Sequence, residues 1–152
     1  MSLINTYNNI FRSDKLEEKF NEVDNTIYVE EVALTAANLI AMYTTPVTLV
    51  EGVAGKVLEL VGAVVIFDYG TTQFTGGGAV KLVEETSGTV LSGTVAAAKI
   101  TAAADSIDKV SPLEVTLTAA KGIQISNDTA VFAAGDGVAR VKVAYRVHTT
   151  GL

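Results

Sequence analysis

Apolar and polar residues alternate along most of the chain after residue 26, with the period of two that β-strands have. The clearest case is VARVKVAYRV (138–147), where Val141, Val143 and Tyr145 alternate with Arg140 and Lys142. Successive side chains of a strand point to opposite faces, so this strand is predicted to have a core face and a basic face. Further strands are predicted at residues 27–34, 47–51, 56–69, 79–85, 106–110, 113–119 and 122–126.

Many short strands separated by Gly, Asn, Asp, Thr and Ser are typical of a mainly β protein, here an antiparallel β-sandwich or jelly roll, with a barrel as the other arrangement. Two short helices interrupt the strands. Thr35 is predicted to cap one or two turns over residues 36–42, and Pro46 starts the next strand. The alanine-rich segment 92–105 predicts a short helix that crosses one end of the sandwich.

Residues 1–26 differ from the rest and are predicted to be a separate anchoring arm, followed by a β domain over residues 27–152. Asp14 and Glu17 have capping-box spacing, and the apolar residues after them recur at helical spacing, which predicts a short helix. Such a short helix must dock on its own β domain or on a partner. The residues predicted to contact a partner are Tyr7, Ile10, Phe11, Leu16 and Phe20.

Composition indicates that the chain associates with copies of itself. Hydrophobic residues make up 49% of the chain and charged residues 18%, whereas soluble domains carry about 25% charged residues. The run LVGAVVIF (60–67) is apolar on both faces, and Gly62 within it suggests a β-bulge or a close backbone approach. A neighbouring subunit is expected to cover its second face. The predicted oligomer-interface residues are Leu60, Val64, Val65, Ile66 and Phe67.

Two glycine-containing segments could bind phosphate but lack the required pattern. A Walker loop needs a glycine five residues before the Gly-Lys pair and Ser or Thr after the lysine, and those positions hold Val50 and Val57. Residues 52–55 are therefore predicted to form a tight hairpin between strands 47–51 and 56–69. Residues 75–78 lack the following helix and acidic residue of a dinucleotide site, so they are predicted to be a mobile loop tip.

The residues of common catalytic and metal sites are scarce. The chain has no cysteine and a single histidine, His148, which stands without a Gly-x-Ser-x-Gly motif. We therefore expect no enzyme activity, catalytic residue, metal or cofactor. A net charge of -6 disfavours nucleic acid, and the basic residues of the last strand are expected to pair with acidic residues of a neighbouring strand or subunit. The longest apolar run is too short to span a membrane.

Two segments carry a family resemblance. Residues 33–82 contain LTAA, TP, AGK, DYG and TGG in that order, and residues 132–152 contain GDG and YRV. Their order and spacing resemble small β-structured virion proteins of tailed bacteriophages, of the head-accessory class. The resemblance implies a capsid decoration or head-fibre protein that forms homotrimers, is made in the host cytoplasm and resides in the virion. Residues 1–26 lie outside the resemblance.

We therefore expect a structural protein whose arm binds the capsid and whose β domain trimerises. The alternative is a receptor- or glycan-binding tail or fibre module that uses the loops at residues 70–78 and 127–137. An enzyme is the third possibility, and His148 offers its only histidine-based mechanism.

Overall fold

The structure, a computed structural model, describes residues 26–150. The predicted N-terminal helix and the five predicted partner-contact residues lie outside this range. Within it the chain is mainly β, with ten strands and two short helices. In chain order they are β1 (Tyr28–Leu34), α1 (Ala36–Ala41), β2 (Val47–Val50), β3 (Lys56–Asp68), β4 (Thr75–Gly76), β5 (Val80–Glu84), β6 (Val90–Val95), α2 (Ala97–Ile100), β7 (Ser106–Val110), β8 (Ile123–Asn127), β9 (Phe132–Ala133) and β10 (Val138–Thr149).

These strands form two four-stranded antiparallel sheets and one two-stranded ribbon. The strand orders are β1-β10-β3-β7, β2-β8-β5-β6 and β4-β9. Buried side chains of both large sheets belong to one hydrophobic cluster, so the sheets pack in a sandwich-like arrangement. The sequence prediction of a mainly β antiparallel fold is confirmed. None of the helices in residues 26–150 is long and apolar enough to cross a membrane.

Strand β10 follows its predicted alternation. Val141 and Val143 are fully buried in the core, whereas Arg140 and Lys142 on the other face are exposed. The strand lies between β1 and β3 and pairs with both along most of its length. The longest strands therefore form the centre of this sheet, and their outward faces define its solvent side.

A register shift interrupts the pairing of β3 with β10. Gly62 lies opposite Ala144 and Leu60 lies opposite Tyr145, so Val61 is the extra residue of a bulge. The prediction of a bulge near Gly62 is thus confirmed. The shift changes the phase of β3: Leu58 and Leu60 face the core on one side of it, and Ala63, Val65 and Phe67 do so on the other.

The predicted hairpin between residues 47–51 and 56–69 is wrong. A turn is present, with Gly55 at φ 71° and the Lys56 N–H donating to the Val53 carbonyl. However, β2 pairs with β8 in one sheet while β3 pairs with β10 and β7 in the other. The turn passes the chain from one layer to the other. The buried residues of β2 and β3 then pack toward each other in the shared core.

The predicted strand at residues 113–119 is also wrong. The segment has no strand partner and meets the sheets at separate points, with the Leu113 N–H bonded to the Leu91 carbonyl and the Ala120 N–H to the Lys56 carbonyl. Between them, buried Glu84 accepts a hydrogen bond from the Thr118 N–H at 2.6 Å. The alternating apolar residues of this segment, Val115 and Leu117, pack against the core without a ladder.

The two helices differ in how well the sequence predicted them. Thr35 caps α1 as expected, in a capping box in which the Asn38 N–H donates to Thr35 Oγ1 and the Thr35 N–H donates to Asn38 Oδ1. The second prediction placed a helix within 92–105. Residues up to Val95 instead continue strand β6, because their alternation lets them pair with β5, and α2 occupies only four residues.

Candidate interaction surfaces

The outward side of the β1-β10-β3-β7 sheet is the first candidate surface, and we call it the outer sheet face. Its residues are identified by the strand register, which places each of them opposite outward residues of the next strand. It consists of Val29, Glu31 and Ala33 on β1; Val138, Arg140, Lys142, Ala144, Arg146 and His148 on β10; Val57, Glu59, Gly62, Val64, Ile66 and Asp68 on β3; and Ile107 and Lys109 on β7.

Apolar side chains lie on β3 and at both edges of this face, on either side of the mainly basic strand β10. Ile66 lies between Arg140 on β10 and Ile107 on β7. Ile107 is 74% exposed and Val29, on the opposite edge strand, is 65% exposed. Leaving large apolar side chains this exposed costs free energy in water, so the two edges favour a covering partner.

Basic and acidic side chains pair within the same face. Lys142 Nζ lies 3.1 Å from Glu31 Oε2, and the Arg140 guanidinium bridges Glu31 at 4.0 Å and Asp68 at 3.6 Å. Arg146 lies 3.5 Å from Glu59. The expectation that the basic residues of the last strand pair with neighbouring acidic residues is confirmed, and the face is left with little net charge.

His148 contacts the same carboxylate as Arg146. Its Nε2 lies 2.7 Å from Glu59 Oε2, and the other Glu59 oxygen faces Arg146. The carboxylate therefore joins two basic side chains on an exposed strand end. The other titratable residues give no metal site within residues 26–150, where no three His, Cys, Asp or Glu side chains cluster suitably.

The five predicted interface residues divide between the two faces of β3. Leu60, Val65 and Phe67 are 5%, 2% and 0% exposed and lie in the core of the chain's own sandwich, so they cannot contact another subunit. Their prediction fails because a sequence apolar on both faces does not show which face is internal. Val64 and Ile66 point outward and belong to the outer sheet face.

Sequence reasoning missed the two edge residues of this face, Val29 and Ile107. In YVEEVAL and SIDKV each is an apolar residue beside charged ones, which is also typical of an inward position. The available signal was the alternation of the strand. Val29 lies an odd number of positions from Val32 and Leu34, and so does Ile107 from Val110, which places each on the face opposite the buried residues. An apolar residue in the solvent phase of an edge strand indicates a contact.

The loops at residues 69–79 and 127–137 form the second candidate surface. Strands β4 and β9 pair there, and the Gly77 N–H donates to the Val131 carbonyl at 3.0 Å. Thr75 and Gly76 are therefore strand residues, and Gly77 is bonded to the facing loop, so the prediction of a loop tip is wrong for these three residues. Phe74 and Phe132 lie beneath the ribbon, both essentially unexposed, with ring centroids 6.1 Å apart.

Two aspartates fix these loops to each other. Asp136 accepts hydrogen bonds from the Thr71 N–H and hydroxyl and from the Thr72 N–H, at 2.6 to 2.8 Å. The Thr71 hydroxyl, followed by the two N–H groups, lowers the pKa of the Asp136 carboxyl. Asp128 likewise accepts from the Ala79 N–H at 2.8 Å. Both carboxylates thus link the loop in which they lie to the facing loop.

Comparison of the chain with protein-family models, with curated proteins and with solved structures gave no match.

Proposed function

We propose that this protein is a non-enzymatic structural component of a tailed-phage virion, of the capsid-decoration or head-fibre type. The β domain holds copies together as a homotrimer, and residues 1–26 bind the major capsid protein or another virion protein. The protein is made in the host cytoplasm and resides in the particle. The family resemblance of residues 33–82 and 132–152 supplies the virion assignment.

The strand order supports a jelly roll. When the two-residue strands β4 and β9 are set aside and the other eight are renumbered along the chain, the sheet orders become 1-8-3-6 and 2-7-4-5. Strands 1 and 8, 2 and 7, 3 and 6, and 4 and 5 are then all neighbours. This order arises when one long antiparallel hairpin is wrapped into two sheets, which is the architecture of jelly-roll capsid domains and lectins.

The observation that carries the proposal is the set of exposed apolar side chains at both edges of the outer sheet face. A protein with 49% hydrophobic residues has buried one complete core and still leaves Ile107 and Val29 exposed on one sheet. Apolar residues at both edges of a broad sheet are suited to a constant protein contact, as in an assembly, more than to a small ligand. This surface therefore favours a structural role.

The alternative of a glycan- or receptor-binding module finds less support in the loops. Glycan sites commonly use exposed aromatic rings as stacking surfaces, yet Phe74 and Phe132 are buried beneath the β4-β9 ribbon. The loop carboxylates of Asp128 and Asp136 are also engaged with backbone N–H groups. These residues stabilise the loops and leave few groups for a ligand.

The test is a particle-binding experiment. Phage particles made from the genome that encodes the chain should contain it in multiple copies, as counted by quantitative peptide mass spectrometry. Particles depleted of the protein should take up the full-length chain and should not take up a chain lacking residues 1–26. That shorter chain should nevertheless keep its β-rich circular dichroism spectrum and the same number of subunits per oligomer. Particles without the protein would contradict the proposal.

A further inference from the structure

The outer sheet face has the size of a protein interface. It is built from strands of 7, 12, 13 and 5 residues. With a rise of about 3.3 Å per residue and about 4.8 Å between strands, these strands cover about 600 Å². A stable interface buries roughly 600 to 1,000 Å² on each partner, so this face supplies most of the area needed.

Its charge distinguishes this face from the rest of the molecule. Four basic residues (Arg140, Lys142, Arg146, Lys109) and three acidic residues (Glu31, Glu59, Asp68) give it a net charge of +1, with His148 neutral, while the whole chain carries -6. The remainder of the chain therefore carries -7. Two copies with a net negative charge repel each other, and the nearly neutral outer sheet face adds no repulsion of its own to their approach.

The two edges of the face also complement each other. One edge has Val29 and Glu31, and the other has Ile107 and Lys109. In each pair the apolar residue and the charged residue are two positions apart on one strand, so they share its outward side. The exposed valine of one edge can therefore pack against the exposed isoleucine of the other, with the Lys109 ammonium group of one copy beside the Glu31 carboxylate of the next, which Lys142 and Arg140 already pair in its own chain.

We propose that a second copy of this chain covers the outer sheet face, and that Ile107 and Val29 are buried in the contact. The inference rests on the proposed function, for which it names the self-association surface. It replaces the mixed set of β3 residues expected from sequence by a continuous surface in which Val64 and Ile66 are central and the β1 and β7 residues form the edges.

Thiol labelling of the full-length protein tests this directly, because the chain has no native cysteine. Ile107→Cys places a thiol on the face, and Val131→Cys places one at a loop position that is 45% exposed. With increasing protein concentration, Ile107→Cys should become at least about tenfold slower to react with maleimide, in step with formation of the oligomer, while Val131→Cys should not change.

Other occupants of the face give different results. Equal and concentration-independent rates for both thiols would overturn the inference and leave the face to a different virion protein. Protection of Ile107→Cys at every concentration in a monomeric chain would also overturn it, because residues 1–25 of the same chain would then be the cover. Ile107 is more exposed than Val131 in the fold of residues 26–150. Slower labelling at position 107 than at position 131 therefore requires a cover from outside that fold.

A charge substitution provides the second measurement. Ile107→Glu should weaken self-association by on the order of a hundredfold or more, because a carboxylate would be buried without a partner, and Val131→Glu should not weaken it. Unchanged native mass for Ile107→Glu would overturn the inference. The particle-binding test is independent: uptake through residues 1–26 alongside an unaffected Ile107→Glu oligomer would leave the proposed function intact and reject only this surface.

Discussion

Gly77 lies against the ring of Phe132, and this contact shows how single residues fix the loop end of the molecule. A Cβ at position 77 would meet the Phe132 ring, and a Cβ at Gly135 would meet the ring of Phe74. Both glycines have positive φ, at 75° and 86°. The glycines therefore permit the backbone to lie directly on buried aromatic rings, which brings the two loops together.

We expect Gly77→Ala to lower the free energy of unfolding by about 3 kcal/mol, from left-handed strain and from overlap with Phe132. Gly55 has nearly the same φ, 71°, and open space where a Cβ would stand. Gly55→Ala should therefore cost only the strain, about 1 kcal/mol. Urea unfolding of the two variants measures the difference, and equal losses would show that Phe132 moves aside without cost.

Buried Glu84 gives stability a dependence on acid. Burial raises the pKa of its carboxyl, but hydrogen bonds from Ser87 and Thr118 and the charge of Lys121 together lower it, and the net pKa lies below its ordinary value. Because the folded-state pKa is the lower one, the carboxylate stabilises the fold above its unfolded-state pKa of about 4.3. That contribution is lost as pH falls through the folded-state value.

Glu84→Gln should consequently lower the free energy of unfolding by on the order of 1 kcal/mol at pH 7, and the difference from wild type should shrink below about pH 4. Glu114→Gln is the control, since Glu114 is exposed and its carboxylate has no hydrogen-bond or ion-pair partner in residues 26–150. Chemical unfolding at pH 7 and at pH 3 provides the measurement. A difference that persists in acid would assign the effect to packing instead of charge.

Helix α1 shows how a short element is stabilised by its cap. It has six residues, too few for a stable helix in isolation, and only Leu39 in it is buried. The reciprocal hydrogen bonds between Thr35 and Asn38 satisfy two backbone groups at its start. Its N-terminal end therefore depends on side chains adjacent in sequence, which explains why sequence analysis located it.

Thr35→Ala should lower the free energy of unfolding by about 1 kcal/mol, because the Asn38 N–H loses its acceptor. Thr35→Ser retains a hydroxyl at the same position and should restore most of the loss. Thermal unfolding of the three proteins measures both effects. If the serine variant were as unstable as the alanine variant, the threonine methyl group and not the cap would be responsible.

Strand positions were largely predictable, but strand partners were not. Alternation located most strands because burial of one face is a local property of the sequence. Partner choice depends on contacts between residues far apart: β3 pairs with β10 near the C-terminus, and β2 with β8. Segment 113–119 has the alternation of a strand and still forms no ladder, since its apolar residues reach the core without one.

The candidate site was partly predictable for the same reason. Val64 and Ile66 were identified because they lie within one apolar run. Ile107 becomes their neighbour only through the pairing of β7 with β3, and Val29 joins the face only through β1 and β10. A surface assembled from four strands requires the register, which no single segment of the sequence contains.

For the whole molecule, the proposed contact implies an unusual response to salt. Each copy carries a net charge of -6, whereas the outer sheet face is nearly neutral and its charged residues other than Lys109 are paired within the chain. Raising the salt concentration from about 0.01 M to about 0.1 M shortens the Debye length from about 30 Å to about 10 Å. Repulsion between copies should fall while the apolar contact remains.

Self-association should therefore become tighter with added salt, as measured by sedimentation equilibrium at several protein concentrations. A partner held through ion pairs would show the opposite trend. Weakening of self-association by salt would mean that charge pairs between copies, and not the apolar edges, provide most of the affinity.

The pairing of β1 with β10 determines the direction in which the domain would be displayed. Tyr28, where β1 begins, lies opposite Tyr145, whereas Asp136 and the loop end adjoin the first residues of β10. Seven residues of strand separate these positions, or about 23 Å. If the chain is tethered through the residues before Tyr28, the loops at 69–79 and 127–137 become the distal tip. A peptide inserted in those loops would then be presented away from the particle, and one fused after Thr149 would remain near its surface.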